Sequence, residues 1–402
     1  MHSLLEVPEA KYPRAAASPL AIARALAEHF AQSAVERDKT GGTPKAERDA
    51  LRQSGLLGLI VPRELGGLGA TWADTLQIVR EIARVDSSVA HVFAFQHLLL
   101  ATVRLFGSPS QWRPLFEQTA GNDWFWGNAL NPLDTRTTAV RQDDGGFEFD
   151  GRKSFCSGAI DSDMLIASGV DTASGKLIIA ALPTDRAGIE LFPDWDNMGQ
   201  RQTDSGSAAF HRVRIARTEV LAEPGPLSSP FACLRPLIAQ LILSNIYLGI
   251  AEGALEEARR YTLGQSRAWP AAGVDSAGKD PYVLSTYGEF WVGVEGARLL
   301  TDRAARSLDA AWVRDLDLKE AERGEVAVHV ASAKVATTRV GLDLTSRMFE
   351  VAGARATTAA LRFDRYWRNL RTHSLHDPVA YKVRELGDWA LNGSHPTPSF
   401  YS

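Results

Sequence analysis

Two histidines near the carboxyl-terminal end of the chain have the residue type and spacing needed to transfer protons. His373 and His376 lie in the sequence Arg-Thr-His-Ser-Leu-His-Asp-Pro, three residues apart, and on a helical turn they would share a face. Imidazole titrates near neutral pH, so a buried pair can give and take protons under working conditions. Asp377 follows directly, and Pro378 is expected to end the turn. On this octapeptide alone, two surface histidines beside a helix end remain an alternative.

Positive charge precedes the histidine pair. Arg365, Arg368 and Arg371 supply enough cationic charge to hold an anionic group nearby. A metal site is not expected, because no third ligand stands at a spacing typical of zinc sites and both cysteines, Cys156 and Cys233, are far away in sequence. The pattern is therefore compatible with proton transfer next to an anion, with two surface histidines as the alternative that the segment alone favours.

The composition is that of an ordinary globular protein. A length of 402 residues allows two or three packed domains, and a net charge of -4 offers no field that would attract nucleic acid or an acidic membrane. The two cysteines cannot form a disulfide framework. Residues 1–19 lack the pattern of a secretion signal, and no wholly apolar run reaches the roughly 18 residues of a membrane span. We expect a cytoplasmic enzyme that binds neither nucleic acid nor membrane.

The periodicity of apolar residues changes twice along the chain and predicts an α+β fold with three domains. Helical spacing dominates residues 1–122, short strand-like runs separated by turn residues dominate residues 123–228, and helical spacing returns in residues 229–402. Helices are predicted at residues 19–37, 45–55, 72–85, 87–106 and, with breaks at 264–281 and 314–318, from 233 to 391. Strands, expected to form hairpins, are predicted at residues 146–150, 164–168, 177–182 and 210–215.

Four motifs, in order along nearly the whole chain, resemble those of the acyl-CoA dehydrogenase superfamily. They occupy residues 55–69, 151–158, 198–207 and 248–258. The resemblance implies an N-terminal helical domain, a middle β-barrel-like domain and a C-terminal four-helix bundle. Gly353 lies in a segment similar to the family's interface turn, which implies a homotetramer.

The chain departs from the commonest pattern of that superfamily at the catalytic base. Where a glutamate followed by Gly-Thr is usual, this sequence has His-Ser-Leu-His-Asp-Pro, and Asp377 falls near the position of the glutamate. The paired histidines, together with Phe-Cys-Ser-Gly and Arg-Gln-Thr-Asp-Ser-Gly-Ser, instead resemble the flavin monooxygenases of this fold, a group that includes dibenzothiophene and alkanesulfinate monooxygenases. An FAD-dependent acyl-CoA dehydrogenase with Asp377 as its base is the alternative, and a non-catalytic flavin or acyl binder is a third.

The resemblance to the monooxygenases implies a cofactor, a partner and a substrate class. Reduced FMN would be supplied by a separate NAD(P)H-dependent flavin reductase, since no Gly-x-Gly-x-x-Gly follows a strand as in a nicotinamide-binding domain. FMN and dioxygen would form a C4a-hydroperoxyflavin that must be kept from water. The oxygen acceptor would be a small organosulfur compound, first an alkanesulfinate such as methanesulfinate, then a sulfide, a sulfone or a dibenzothiophene-like compound.

The same resemblance implies a set of site residues. The predicted catalytic residues are His376, His373, Ser157, His91 and Asn128. The predicted cofactor-binding residues are Arg267 with Trp269 (reaching a neighbouring subunit's flavin phosphate), Asn128, Ser157, Phe155, Ser205, Ser207, Arg368 and Arg371. The shielding walls are assigned to Phe93, Phe95, Trp124, Phe125, Trp126 and Phe155. The alternatives are that the arginines lie on the surface, the serines shape a turn, and the aromatic residues or His91 only pack a core.

Overall fold

The computed structural model describes residues 18–402 and consists of a helical part, a β-sheet and a second helical part, in that order along the chain. Residues 1–17 lie outside the described residues. They include the beginning of the first predicted domain and most of the segment expected to lack a secretion signal.

Within residues 18–402, the first helical part contains six α-helices, most of which were predicted. They are α1 Pro19–Ala31, α2 Ala34–Thr40, α3 Lys45–Ser54, α4 Trp72–Ala83, α5 Ser87–Phe106 and α6 Pro109–Asn122. Asp86 caps α5 by accepting from the backbone N–H groups of Ser88 and Val89, and Gly55 ends α3 with φ of 75°. The predicted helix at residues 19–37 is divided into α1 and α2, and α6 was not predicted.

Seven strands form one mixed sheet. They are β1 Trp126–Ala129, β2 Thr138–Arg141, β3 Phe147–Lys153, β4 Met164–Asp171, β5 Leu177–Pro183, β6 Ile189–Phe192 and β7 Ser207–Ile215. Strands β4 and β5 form an antiparallel hairpin between two predicted strands, and β2, which was not predicted, forms another with β3. Strand β1 was not predicted either, and both β1 and β2 pair with β4 in parallel, so the sheet is not built of hairpins alone.

The second helical part contains three long helices and two shorter ones. They are α7 Leu234–Gln265, α8 Pro281–Trp312, α9 Glu320–Ala352, α10 Asp364–Ser374 and α11 Val379–Asn392. The breaks between α7, α8 and α9 agree with the predicted interruptions. Helix α7 packs against α9, α4 and α5, so the two helical parts share a continuous apolar core.

Helices α5 and α7 are long and apolar enough to cross a membrane by length and composition. Polar residues interrupt both helices, so neither contains an unbroken apolar run of the predicted length, but their mean hydropathy reaches that of a membrane span. In α5, 94% of the most apolar window is buried inside the protein, and in α7 the share is 89%. Burial against other helices accounts for the apolarity of both.

Candidate functional site

Two of the predicted histidines, one from each helical part, pack against each other in the interior with their ring planes tilted by 46°. His91 on α5 and His373 on α10 have ring centroids 4.7 Å apart. Phe95 lies one helical turn after His91, and its ring centroid is 4.0 Å from that of His91. Both imidazoles are buried. The structure thus joins residues that are far apart in sequence into one cluster.

Burial controls the charge of both rings. It lowers the pKa of His91 to about 3, with a smaller contribution from the charge of His376. Burial likewise lowers the pKa of His373 well below its ordinary value, helped by His91, His376 and Lys334. Both rings are therefore neutral near pH 7, and each has one donor and one acceptor nitrogen. Among residues 18–402, neither ring nitrogen of His91 nor Nδ1 of His373 has a hydrogen-bond partner.

The second histidine of the terminal pair occupies a different environment from the first. Helix α10 ends at Ser374, so His376 lies in the following turn, where its backbone N–H donates to the carbonyl of His373. The side chain of His376 is 45% exposed, whereas that of His373 is buried. The expectation that the two share a helical face does not describe this arrangement, because the turn directs one ring inward and leaves the other at the margin of the cluster.

The carboxylate next to His376 is buried and paired. Oδ1 of Asp377 is 3.2 Å from Nδ1 of His376 and 3.2 Å from Nζ of Lys334. Burial alone would raise the pKa of Asp377, but the hydrogen bond from His376 and the charge of Lys334 hold it well below its usual value. A carboxylate held in this way is a weak proton acceptor, so the structure gives little support to Asp377 as the base of a dehydrogenase.

The predicted serines meet at the edge of the sheet. The hydroxyl groups of Ser157 and Ser205 are 2.8 Å apart, and that of Ser205 is 2.7 Å from the hydroxyl of Thr203. The backbone N–H of Asn128 on β1 donates to the carbonyl of Ser157 at 3.0 Å. All four residues are buried, so the hydroxyl groups form a compact polar set in the interior.

One glutamine ties the loop that carries these serines to both histidine helices. The backbone N–H of Gln200 donates to Oδ1 of Asn369 at 2.7 Å, and its Nε2 donates to Oγ of Ser87 at 3.1 Å. Asn369 precedes His373 by one turn of α10, and Ser87 begins α5. Gly199 permits this contact, since a Cβ there would come within 2.2 Å of the carbonyl oxygen of Arg368. The loop before β7 is thereby fixed against both histidine helices.

The predicted cofactor residues differ in how firmly they are already engaged. Arg368 pairs with Asp38 and Asp364, and the hydroxyl group of Ser207 donates to Asp194. Neither side chain is therefore free to bind a phosphate without losing these contacts.

Two other predicted arginines are available. Arg371 is half-buried, and Arg267 is exposed in the segment after α7. Within residues 18–402, neither side chain forms a hydrogen bond or an ion pair. Trp269, two residues after Arg267, is 74% exposed. The single chain does not bring Arg267 and Trp269 to the histidine cluster.

Three of the six aromatic residues predicted as shielding walls pack the core instead. Trp126 donates its indole N–H to Thr119, and Phe125 lies beneath the guanidinium of Arg48. Phe93 is fully buried against His97, and Trp124 is half-buried. Phe95 lies beside the histidines, and Phe155, with φ of 60°, is 58% exposed and contacts Trp195 edge to face. Core packing explains Phe93, Phe125 and Trp126, whereas Phe95 and Phe155 remain wall candidates.

Several side chains that support the cluster were not predicted. Tyr247 on α7 donates its hydroxyl hydrogen bond to the carbonyl of His373 at 2.8 Å, and Lys334 on α9 pairs with Asp377. Their positions inside long helical patterns give no local signal. Gln200 lies within the motif at residues 198–207, directly after Gly199. A polar side chain beside a glycine in that motif is the signal that could have identified it as a supporting residue. In the described part of the chain, no group of three or more histidine, cysteine or acidic side chains could hold a metal ion.

Comparison with known proteins gives consistent matches. The family models for the acyl-CoA dehydrogenase N-terminal and C-terminal domains match residues 20–122 and 241–380. A probable FMNH2-dependent monooxygenase SfnC of Pseudomonas putida is 66% identical over 384 residues, which cover 95% of this chain and 97% of that protein.

Two solved structures are similar over nearly their whole length. Methanesulfinate monooxygenase MsuC from Pseudomonas fluorescens is 63% identical with a TM-score of 0.95, and the match covers 96% of this chain and 100% of that one. FMN-bound TdsC from Paenibacillus sp. A11-2 is 44% identical with a TM-score of 0.91, and the match covers 95% and 99% of the two chains.

Proposed function

Because this chain belongs to the acyl-CoA dehydrogenase superfamily, in its branch of two-component flavin monooxygenases, we propose that it uses reduced FMN and dioxygen to oxygenate a small organosulfur compound. The relatives support this class of reaction, since SfnC is named as FMNH2-dependent, TdsC was solved with FMN bound, and MsuC is a methanesulfinate monooxygenase. The structural observation that carries the proposal is the buried histidine pair, in which both ring nitrogens of His91 and Nδ1 of His373 have no hydrogen-bond partner within residues 18–402.

The donors and acceptors of the site fit a flavin. An isoalloxazine ring needs hydrogen-bonding groups along its edge and aromatic or apolar surface on its faces. The hydroxyl groups of Ser157 and Ser205 and the unpartnered nitrogens of His91 and His373 supply the first, and the exposed ring of Phe155 supplies the second. The phosphate requires a cation, for which Arg267 of a neighbouring subunit, with Trp269 beside it, is the candidate. Bound reduced FMN would supply the activation of dioxygen, by the oxygen-adduct route predicted from the sequence.

The residues of this chain have three tasks in the proposed reaction. His91 and His373, both neutral, donate and accept hydrogen bonds without carrying charge into the interior. Phe95 and the surrounding helices keep water away from them. His376, whose Nδ1 faces Asp377, keeps Nε2 for a proton that is held or released during oxygen transfer.

The substrate that fits best is an alkanesulfinate, with methanesulfinate as the first choice. A sulfinate is a small anion, and Arg371 is a half-buried cation with no partner within residues 18–402, two residues before His373. A sulfide, a sulfone or a dibenzothiophene-like compound is the second choice, supported by the 45% identity to dibenzothiophene monooxygenase of Rhodococcus qingshengii.

The assembly and the partner belong to the same proposal. A homotetramer would bring Arg267 and Trp269 of one subunit to the flavin of another, and an NAD(P)H-dependent flavin reductase would deliver reduced FMN by diffusion. The expected location is the cytoplasm, with no role for nucleic acid or membrane.

A product assay tests the function. The protein is mixed with reduced FMN, dioxygen and a panel of sulfinates, sulfides and thiophenes, and products are identified by mass. We expect a gain of one oxygen atom, greatest with methanesulfinate. No product above the protein-free reaction with any substrate would refute the proposal. Tightly bound flavin that bleaches anaerobically with an acyl-CoA would instead support a dehydrogenase, and flavin binding without product would support a non-catalytic binder.

A further inference from the structure

A buried lysine stands behind the histidine cluster and belongs to none of the predicted roles. Lys334 lies in the middle of α9, and its side chain is 1% exposed. Placing an ammonium ion in the interior is costly unless a carboxylate and hydrogen bonds compensate it. Within the described residues, Asp377 is the only carboxylate that pairs with Lys334, at 3.2 Å. The lysine and the aspartate therefore form a buried ion pair.

The carboxylate of that pair also holds His376. Oδ1 of Asp377 is 3.2 Å from Nδ1 of His376, the same distance as from Nζ of Lys334, and the side chain of Gln240 also helps to lower the pKa of Asp377. An ionised carboxylate accepts the proton on Nδ1 and so leaves Nε2 as the free ring nitrogen. Lys334, Asp377 and His376 thus form a line of contacts from α9 in the protein interior to the margin of the site.

The same ammonium supports the other histidine of the pair. Nζ of Lys334 lies 5.1 Å from the ring centroid of Tyr247, whose hydroxyl donates to the carbonyl of His373. The charge of Lys334 also contributes to lowering the pKa of His373. Lys334 thus acts on both imidazoles of the terminal segment, on one through Asp377 and on the other through Tyr247.

The charged and titratable groups around this line come from every packed element. They are His91 on α5, Tyr247 on α7, Lys334 on α9, His373 on α10, Lys382 on α11 and Tyr401 in the carboxyl-terminal tail. Lys334 is the group that offsets the charge of Asp377 from the interior, since Lys382 is engaged by Glu385.

We propose that Lys334 is a positioning residue, which acts through Asp377 to set the protonation and orientation of His376. This rests on the proposed function for its catalytic consequence, though not for its structural one. Without the ammonium, the negative charge of Asp377 would be offset by His376 alone, and the protonated ring would be favoured. Without the negative charge of Asp377, the protonated ring would be disfavoured. The two losses therefore shift the titration of His376 in opposite directions.

The test measures the titration of His376 without any turnover. Diethyl pyrocarbonate modifies neutral imidazole, and the rate of modification of the half-exposed His376 is followed against pH by peptide mass mapping. Relative to the wild-type protein, Lys334→Met should raise the midpoint by about one pH unit and Asp377→Asn should lower it by about one. The double variant should match Asp377→Asn, because Lys334 acts through the aspartate. Lys334→Arg, which keeps the charge, should retain the wild-type midpoint.

An unchanged midpoint in Lys334→Met, or shifts that add in the double variant, would overturn the proposal. If Lys334→Met does not fold, Asp377→Asn tests the same line of contacts. An unchanged midpoint for His376 modification in Asp377→Asn would also overturn the proposal. The pH dependence of product formation should follow the same shifts. Shifted midpoints without oxygenated product would uphold the positioning role and remove the proposed function. Oxygenated product from the wild-type protein, together with unchanged midpoints in the variants, would support the proposed function and exclude the positioning role of Lys334.

Discussion

The stability of this protein should depend on pH through its buried neutral histidines. Burial lowers the pKa of both His91 and His97 from 6.5 to about 3, and it lowers that of His373 well below 6.5. For each ring, the unfolded chain binds a proton below pH 6.5 that the folded protein does not bind. Stability is therefore fully present above that pH and is lost as the pH falls towards the folded-state pKa.

The size of the effect follows from linkage. Between roughly pH 7 and roughly pH 5.5 the unfolded ring becomes protonated while the folded ring stays neutral, which costs about 1.3 kcal/mol of unfolding free energy per histidine. The result does not depend on how far below this range the folded-state pKa lies. His91, His97 and His373 together should cost about 4 kcal/mol over this interval.

Urea unfolding at the two pH values measures this loss. His91→Gln and His97→Gln replace an ionisable ring by a neutral amide of similar volume, and each should reduce the loss by about 1.3 kcal/mol, whatever it costs at neutral pH. His211→Gln is the matched control, because that side chain is 64% exposed and is hydrated in both states. If His91→Gln lost as much stability between the two pH values as the wild-type protein, the ring would not be buried and neutral.

Three further predictions concern the site itself. His376→Ala should leave FMN binding intact but lower product formation by at least about 100-fold, because the proton-transfer group is lost. The yield of free hydrogen peroxide should rise, and both yields are measured with reduced FMN and substrate. An unchanged product yield would exclude a catalytic role for His376. Arg267→Ala should weaken FMN binding by roughly 10- to 100-fold, because a charge-assisted hydrogen bond to the phosphate is lost. Titration of the protein with FMN measures the affinity. An unchanged affinity would exclude the contact between Arg267 and the phosphate. Gln200→Leu should lower the unfolding free energy by about 1–3 kcal/mol, because the hydroxyl of Ser87 and the backbone carbonyl of Asn369 lose the hydrogen bonds from the side-chain amide of Gln200; an unchanged urea midpoint would contradict the contact of this loop with α5 and α10.

The long elements could be read from the sequence because their signals are local. The bounds of α5 agree with the prediction at both ends, since Asp86 supplies a side-chain cap and an unbroken helical period follows. The breaks around α8 contain prolines and a charged turn that end helices wherever they occur. The short strands β1, β2 and β6 were missed, because runs of four residues are stabilised by pairing with distant strands rather than by their own propensity.

The sequence by itself determined the family, and through it the residue types of the candidate site. Ser157, Ser205 and His373 carry that information in short motifs, whereas His91 is assigned only by the resemblance to the family. Only the tertiary structure decided which imidazole is buried: α10 ends between the two histidines, so that one packs against α5 while the other stays half-exposed. It also decided that Lys334 faces Asp377, because burial and charge pairing depend on which helices pack together, and no local pattern in a chain encodes that contact.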